Sequence, residues 1–80
     1  MPHLSIKHYP RDFTDEQKAR LAEALTAVVT RHFAAPEGAV SIALEPVAER
    51  DWPQAVDAPE IKGRPHLLIK TPDYPGHSAT

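Results

Sequence analysis

The chain begins Met1-Pro2, and this start can do chemistry that most chain starts cannot. Removal of Met1, which is usual before a small second residue, would leave Pro2 with a free secondary amine. Such an amine can act as a base or a nucleophile if its pKa is lowered by its surroundings. The simpler interpretation is that Pro2 only starts a strand, where its missing N–H costs nothing. The first stretch alone leaves both interpretations open.

Arginine side chains are candidates for holding an anionic substrate, because a guanidinium binds a carboxylate through two parallel hydrogen bonds. Arg11 is the best placed, since it follows Pro10 at a corner after the first strand pattern. An exposed loop arginine is the equally weighted alternative. Arg64 is a weaker candidate on the same grounds. The other arginines are interpreted as surface charges of a helix or loop: Arg20, Arg31 and Arg50.

Trp52 is the only tryptophan, and it lies in the charged segment formed by residues 49–54. A large aromatic side chain in polar surroundings needs an apolar contact. Trp52 is therefore predicted to form either the apolar wall of a pocket or part of the contact between two copies of the chain. The sequence does not separate these two roles.

The five histidines do not form a metal-binding signature. His3 and His8 are five residues apart on one predicted strand, so they face opposite sides of it. The chain has no cysteine, and it lacks the motifs of nucleophile elbows, P-loops and dinucleotide-binding turns. We therefore expect no metal site and no thiol chemistry.

The length of 80 residues predicts a single small domain, spanning residues 1–80. A core of this size is marginal without disulfides, so self-association is the favoured way to complete it. The net charge of −2 comes from interspersed acidic and basic residues, which does not favour nucleic-acid binding. The chain shows neither a long apolar run nor a signal-peptide pattern, so a cytoplasmic location without membrane attachment is expected.

Periodicity predicts a β-α-β unit that would position the candidate residues. Residues 3–9 and 40–45 alternate between apolar and polar, which is typical of strands with one buried face. Thr14 and Gln17 have the spacing of a capping box and open a predicted helix over residues 15–33. Its apolar stripe consists of Leu21, Leu25, Val28 and Val29. Strand, helix and strand predict an α/β fold with two parallel strands, completed by dimerisation because two strands and one helix are not independently stable.

The second half of the chain gives weaker signals. Residues 57–63 predict a turn or short helix, and residues 64–70 a short helix opened by proline rather than a short strand. The apolar cluster at residues 67–69 is predicted to dock on the core or on a second copy. A tail follows, predicted to fray over residues 75–80.

Together these features resemble the 4-oxalocrotonate tautomerase family. The resemblance rests on the order of Met1-Pro2, a strand, Arg11, the helix start Asp15-Glu16-Gln17-Lys18 and a parallel return strand. Three further segments resemble the small, dimeric PptA-type members of this family: Ser41-Ile42-Ala43-Leu44, Asp51-Trp52 and Leu68-Ile69-Lys70-Thr71-Pro72-Asp73-Tyr74. The similarity covers residues 2–74 and lies in combined order and spacing rather than in one motif.

The resemblance implies a keto–enol tautomerase that needs neither a metal nor an organic cofactor. Pro2, exposed by loss of Met1, would be the general base that moves a proton between carbon and oxygen of an enol or keto acid. Arg11 matches, within one residue, the family arginine that contacts a substrate carboxylate. Trp52 falls where the family has an aromatic residue on the apolar side of the pocket.

Ser41 departs from the family pattern, because the hexameric members carry a second substrate arginine in the second strand. A monocarboxylate such as an aryl enolpyruvate is therefore expected rather than a dicarboxylate. The PptA-type likeness implies a homodimer, with a higher oligomer as the alternative. The charge pattern and the lack of a long apolar run predict neither a nucleic-acid nor a membrane partner.

Two other functions stay open. Relatives of this fold carry out hydration-linked dehalogenation or decarboxylation, which would need Glu45, Glu49 or Asp51 to position a water molecule. The second alternative is a non-catalytic homodimer that binds a small acid or a protein partner.

Overall fold

The computed structural model describes residues 1–74. The chain divides into two compact units, one from Met1 to Glu49 and one from Arg50 onward. The predicted frayed tail, residues 75–80, lies outside the described residues. The single domain of residues 1–80 stays a prediction.

The first unit contains a two-stranded parallel sheet. Its strands are β1, His3–His8, and β2, Ser41–Pro46. They pair in register over their whole length, so that His3 lies opposite Ser41. In β1 the burial alternates as expected at first, with Leu4 and Ile6 half-buried and His3 and Ser5 exposed. The predicted parallel pair is confirmed.

Helix α1 spans Asp15–Phe33, which are the predicted bounds. Thr14 and Gln17 form both hydrogen bonds of the capping box. The Gln17 N–H donates to Thr14 Oγ1 at 3.1 Å, and the Thr14 N–H donates to Gln17 Oε1 at 2.9 Å. The helix ends at Ala34, whose φ of 53° is the left-handed conformation that commonly terminates helices.

The packed face of α1 is rotated from the predicted one. Val29 is buried, whereas Val28, which was predicted on the same stripe, is 54% exposed. Consecutive helix residues are separated by about 100° around the axis, so these two cannot both point to the centre of one face. Leu21 and Leu25 of the predicted stripe are half-buried, but so are Thr26 and Thr30, so the face centres on Val29.

The second unit contains a wide, π-type helix over Pro53–Lys62 and a single 3₁₀ turn at Pro65–Leu67. The turn confirms a short helical segment opened by proline. The longer helix exceeds the turn or short helix that was predicted. In the apolar cluster at residues 67–69, Leu67 and Ile69 are 55% and 103% exposed, whereas Leu68 is half-buried. Docking of this cluster on the core or on a second copy stays a prediction.

The buried core of the described residues is small. Only Val29, Val47 and Val56 are buried apolar residues in the range 1–74. Both strands of a two-stranded sheet are edge strands, which leaves one side of each without a strand partner in the described chain. An open groove of about 310 Å³ also lies between the first half of α1 and β2. These features agree with the expectation that a second copy completes the fold.

The capping box gives a direct test of what fixes the start of α1. Thr14→Ala is expected to lower the free energy of unfolding by about 1 kcal/mol, because the Gln17 N–H loses its acceptor. Thr14→Ser keeps the hydroxyl and is expected to stay within a few tenths of a kcal/mol of the parent. Urea denaturation at one fixed protein concentration measures both variants. Equal losses in the two variants would show that the hydroxyl is not the cause.

Candidate active site

Pro2 lies at the amino edge of the sheet, directly before β1. Its carbonyl oxygen accepts a hydrogen bond from the Ser41 N–H at 3.2 Å, so the ladder between the strands holds the backbone up to this residue. Pro2 is half-buried, whereas Met1 is fully exposed. Met1 is thus accessible to an enzyme that removes it, and Pro2 would then begin the chain at a fixed strand start.

Ser41, the residue that departs from the family pattern, lies beside Pro2. Its Oγ is 2.6 Å from the Nδ1 of His3, and both side chains are exposed. The pair joins the first residues of β1 and β2 at the amino edge. This edge therefore presents a hydroxyl and an imidazole rather than a guanidinium.

Arg11 lies at the other end of β1, in the connection to α1. It lines a pocket of about 290 Å³ at the carboxyl edge of the sheet. The pocket is formed by strand residues and by residues of the connection and of α1: His8, Leu44, Pro46, Arg11, Asp12, Phe13 and Lys18. The lining contains two cations, Arg11 and Lys18, against one carboxylate, Asp12, and the remainder is largely apolar or aromatic. This excess of positive charge beside apolar groups suits a carboxylate attached to an apolar group.

Arg11 contacts the ring of Phe13, which in turn contacts the ring of His8. Its guanidinium carbon is 5.1 Å from the centroid of the Phe13 ring. The His8 ring meets Phe13 edge-on, with centroids 5.6 Å apart and planes at 89°. His8 Nδ1 donates to the Tyr9 carbonyl oxygen at 2.7 Å, because a carbonyl can only accept. These contacts link the guanidinium to the end of β1.

The structure does not bring Pro2 and Arg11 together within one chain. They flank opposite ends of β1, a strand of six residues. A strand rises about 3.3 Å per residue, so its two ends lie about 20 Å apart. A small acid cannot contact both residues of the same chain at that separation.

Trp52 belongs to the second unit, where it is half-buried and directly precedes the π-type helix. Its predicted place on the apolar wall of the pocket stays a prediction. Glu45 is in β2 opposite Lys7, and so lies near the carboxyl edge of the sheet, whereas Pro2 lies at the amino edge. Glu49 and Asp51, the other candidates for positioning water, lie in the 3₁₀ turn Glu49–Asp51.

Phe13 and Lys18 were not identified as site residues from the sequence, although both line the pocket of Arg11. The available signal was position: Phe13 sits two residues after Arg11 and directly before the cap of α1. A short connection between a strand and a capped helix restricts where its side chains can go. An aromatic residue there was a candidate support for the arginine.

Within residues 1–74, no group of three or more histidine, cysteine, aspartate or glutamate side chains is arranged to hold a metal ion. None of the helices in that range has the length and apolar character needed to cross a membrane.

Comparison with known proteins identifies the family. Residues 2–60 match the family model described as "Tautomerase enzyme". The chain is 49% identical to Tautomerase PptA of Klebsiella pneumoniae (strain 342) over 74 residues, which are 92% of this chain and 97% of that protein. With the same coverage, it is 45% identical to Tautomerase PptA of Enterobacter sp. (strain 638) and 40% identical to that of Escherichia coli O9:H4 (strain HS). The chain, with its parallel β-α-β unit, therefore belongs to the tautomerase family and is an isomerase of the tautomerase type.

Proposed function

We propose that this tautomerase interconverts the enol and keto forms of a small 2-oxo acid, with Pro2 as general base after loss of Met1. The observation that carries the proposal is the placement of Pro2. It is half-buried, held at the strand start by the Ser41 N–H, and preceded by a fully exposed Met1. The relatives named Tautomerase PptA support the reaction class.

The proposed step needs only one group that accepts and returns a proton. In the enol-to-keto direction, the Pro2 amine accepts the hydroxyl proton, and the resulting ammonium delivers a proton to carbon 3. Pro2 therefore ends the cycle as it began. An α-amine in water titrates near 8 and a secondary amine is more basic, but a nearby guanidinium disfavours the cation and lowers its pKa. A base whose pKa lies near the working pH transfers protons best.

A second copy of the chain would supply Arg11 to each Pro2. In an antiparallel pair, the amino end of one strand lies beside the carboxyl end of the other. A two-fold homodimer that pairs two β1 edges would therefore bring Pro2 of one copy towards Arg11 of the other, although the two are about 20 Å apart in one chain. The open strand edges and the small core favour this association.

The proposed substrate is a monocarboxylate with an apolar group, such as an aryl enolpyruvate. Arg11 offers one bidentate carboxylate site, and its pocket has Phe13 and Leu44 as apolar walls. Ser41 provides no second guanidinium for a second carboxylate. Trp52 is proposed to form the apolar side of the completed site.

The proposal is tested with protein whose natural N-terminus is unmodified. Intact-mass measurement is expected to show loss of Met1. Phenylenolpyruvate is expected to be ketonised with a higher kcat/KM than an unsaturated dicarboxylate enol, because Arg11 can bind one carboxylate and no second arginine is proposed to bind the other. An active protein that retains Met1 would rule out the Pro2 amine as base. Turnover of a 3-halo-acrylate in place of the enol acid would instead favour the dehalogenase alternative.

A further inference from the structure

We propose that Phe13 is a positioning residue, which orients the Arg11 guanidinium for the substrate carboxylate and is itself held by His8. The inference rests on the proposed function, because it takes Arg11 to be the carboxylate-binding group. The inference adds a third residue, besides the base Pro2 and the carboxylate-binding Arg11, that determines substrate affinity. The supporting observations are the cation–π contact of Arg11 with Phe13, the T-shaped contact of His8 with Phe13, and the pocket that all three residues line.

The contact with Phe13 leaves binding groups of Arg11 available. At 5.1 Å from the ring centroid, the guanidinium carbon is within the range of a cation–π contact. A guanidinium carries five N–H donors, so contact with one aromatic ring leaves donors for a carboxylate. Among the described residues, no carboxylate forms an ion pair with Arg11, whereas Arg20 is paired with Glu16. Arg11 is thus supported and still able to bind an added carboxylate.

The contact with Phe13 restricts the rotamers of the Arg11 side chain before substrate binds, so that binding has less conformational entropy to remove. An exposed arginine samples many rotamers, and fixing them on binding costs free energy. Phe13 is half-buried and directly precedes the Thr14 cap, so its backbone is fixed by the start of α1. His8 contacts the Phe13 ring in a T-shaped arrangement and is anchored in turn by its hydrogen bond to the Tyr9 carbonyl. Arg11 is therefore partly ordered before substrate arrives.

The test compares Phe13→Leu, which removes the ring but keeps an apolar side chain, with Phe13→Tyr, which keeps the ring. A cation–π contact at an exposed site corresponds to about a two- to fivefold change in affinity. Phe13→Leu is therefore expected to raise KM for phenylenolpyruvate about two- to fivefold with little change in kcat. Phe13→Tyr is expected to match the parent in both constants. A parent-like KM in the leucine variant, with the fold intact by circular dichroism, would overturn the proposal. Phe13→Met replaces the leucine variant if that variant does not fold.

The second part of the test asks whether Phe13 acts through Arg11. In an Arg11→Ala background, Phe13→Leu is expected to cause no further loss of affinity. Where turnover is too slow, the Kd of 3-phenylpropanoate, a non-reactive carboxylate probe, replaces KM. An equal loss with and without Arg11 would show that Phe13 is only a wall of the pocket, which overturns the positioning role. If Arg11→Ala alone leaves affinity unchanged, then the proposed function fails at Arg11 itself, which is a distinct result.

Discussion

Replacing Pro2 by alanine is expected to lower kcat/KM for phenylenolpyruvate by about 10²-fold, the lower end of the range for loss of a general base. Alanine also permits removal of Met1, so the variant keeps an α-amine at the same place. That amine is primary and lacks the ring that fixes its direction at the strand start. The decrease in kcat/KM therefore measures what the proline ring contributes, because an α-amine is still present in the variant. Stopped-flow absorbance of the enol gives the rate.

Two further variants make the result specific. Pro36→Ala changes another proline of the first unit, exposed and ahead of the turn Glu37–Ala39, and is expected to leave kcat/KM unchanged. A chain extended by one alanine before Pro2 turns the proline nitrogen into an amide, which cannot accept a proton. This extended chain is expected to be less active than Pro2→Ala. Parent-like activity in the extended chain would show that another group is the base.

Local signals explain why the first unit could be predicted closely. The bounds of α1 follow from Thr14 and Gln17 at its start and from Pro36 after its end, and these features act within a few residues of chain. The two strands follow from alternation. The rotation of α1 could not be predicted in the same way, because tertiary packing decides whether Val28 or Val29 is buried. In the second unit, the sequence predicted only a turn or short helix over residues 57–63, whereas a wide helix spans Pro53–Lys62 and continues through Pro59, a residue that lacks the N–H an α-helix needs.

Individual candidate residues could be proposed from the sequence, but not how they would be brought together. Pro2 and Arg11 were identified from residue type and from their places at either side of β1. That they are about 20 Å apart follows only once β1 is known to be extended over its six residues. The support from Phe13 and His8 depends on side-chain directions at the end of a strand, which periodicity alone does not give. The separation of the two candidate residues to opposite ends of β1 is therefore the main structural addition.

Arg11→Ala is expected to weaken substrate binding more than any change at Phe13. A hydrogen-bonded contact with a charged group contributes about 1.5–3 kcal/mol, so KM is expected to rise by about 10- to 100-fold. Arg20→Ala is the matched control, because that arginine is engaged by Glu16 on the exposed surface of α1. It is expected to leave KM unchanged. Similar rises in KM for the two variants would indicate a general effect of net charge.

Mixing the Pro2→Ala and Arg11→Ala variants is expected to restore activity that neither has alone, if each site uses Pro2 from one copy and Arg11 from another. After joint unfolding and refolding, half of the dimers are mixed, and each mixed dimer has one site with both residues intact. Activity should therefore reach about a quarter of the parent value in a two-fold dimer. Each variant refolded alone provides the baseline. Restoration to no more than that baseline would show that the two residues do not meet between copies.

The reverse experiment separates the same alternatives by a loss of activity. When the parent is refolded with an equal amount of the Pro2→Ala/Arg11→Ala double variant, every site of a mixed dimer lacks one of the two residues. Shared sites then leave about a quarter of all sites active, since only the pure parent dimers contribute. Sites formed within one chain would leave half, because each parent chain would keep its own. An activity near one half of the parent value would thus contradict the shared site. A residue other than Arg11 would then have to bind the substrate carboxylate beside Pro2.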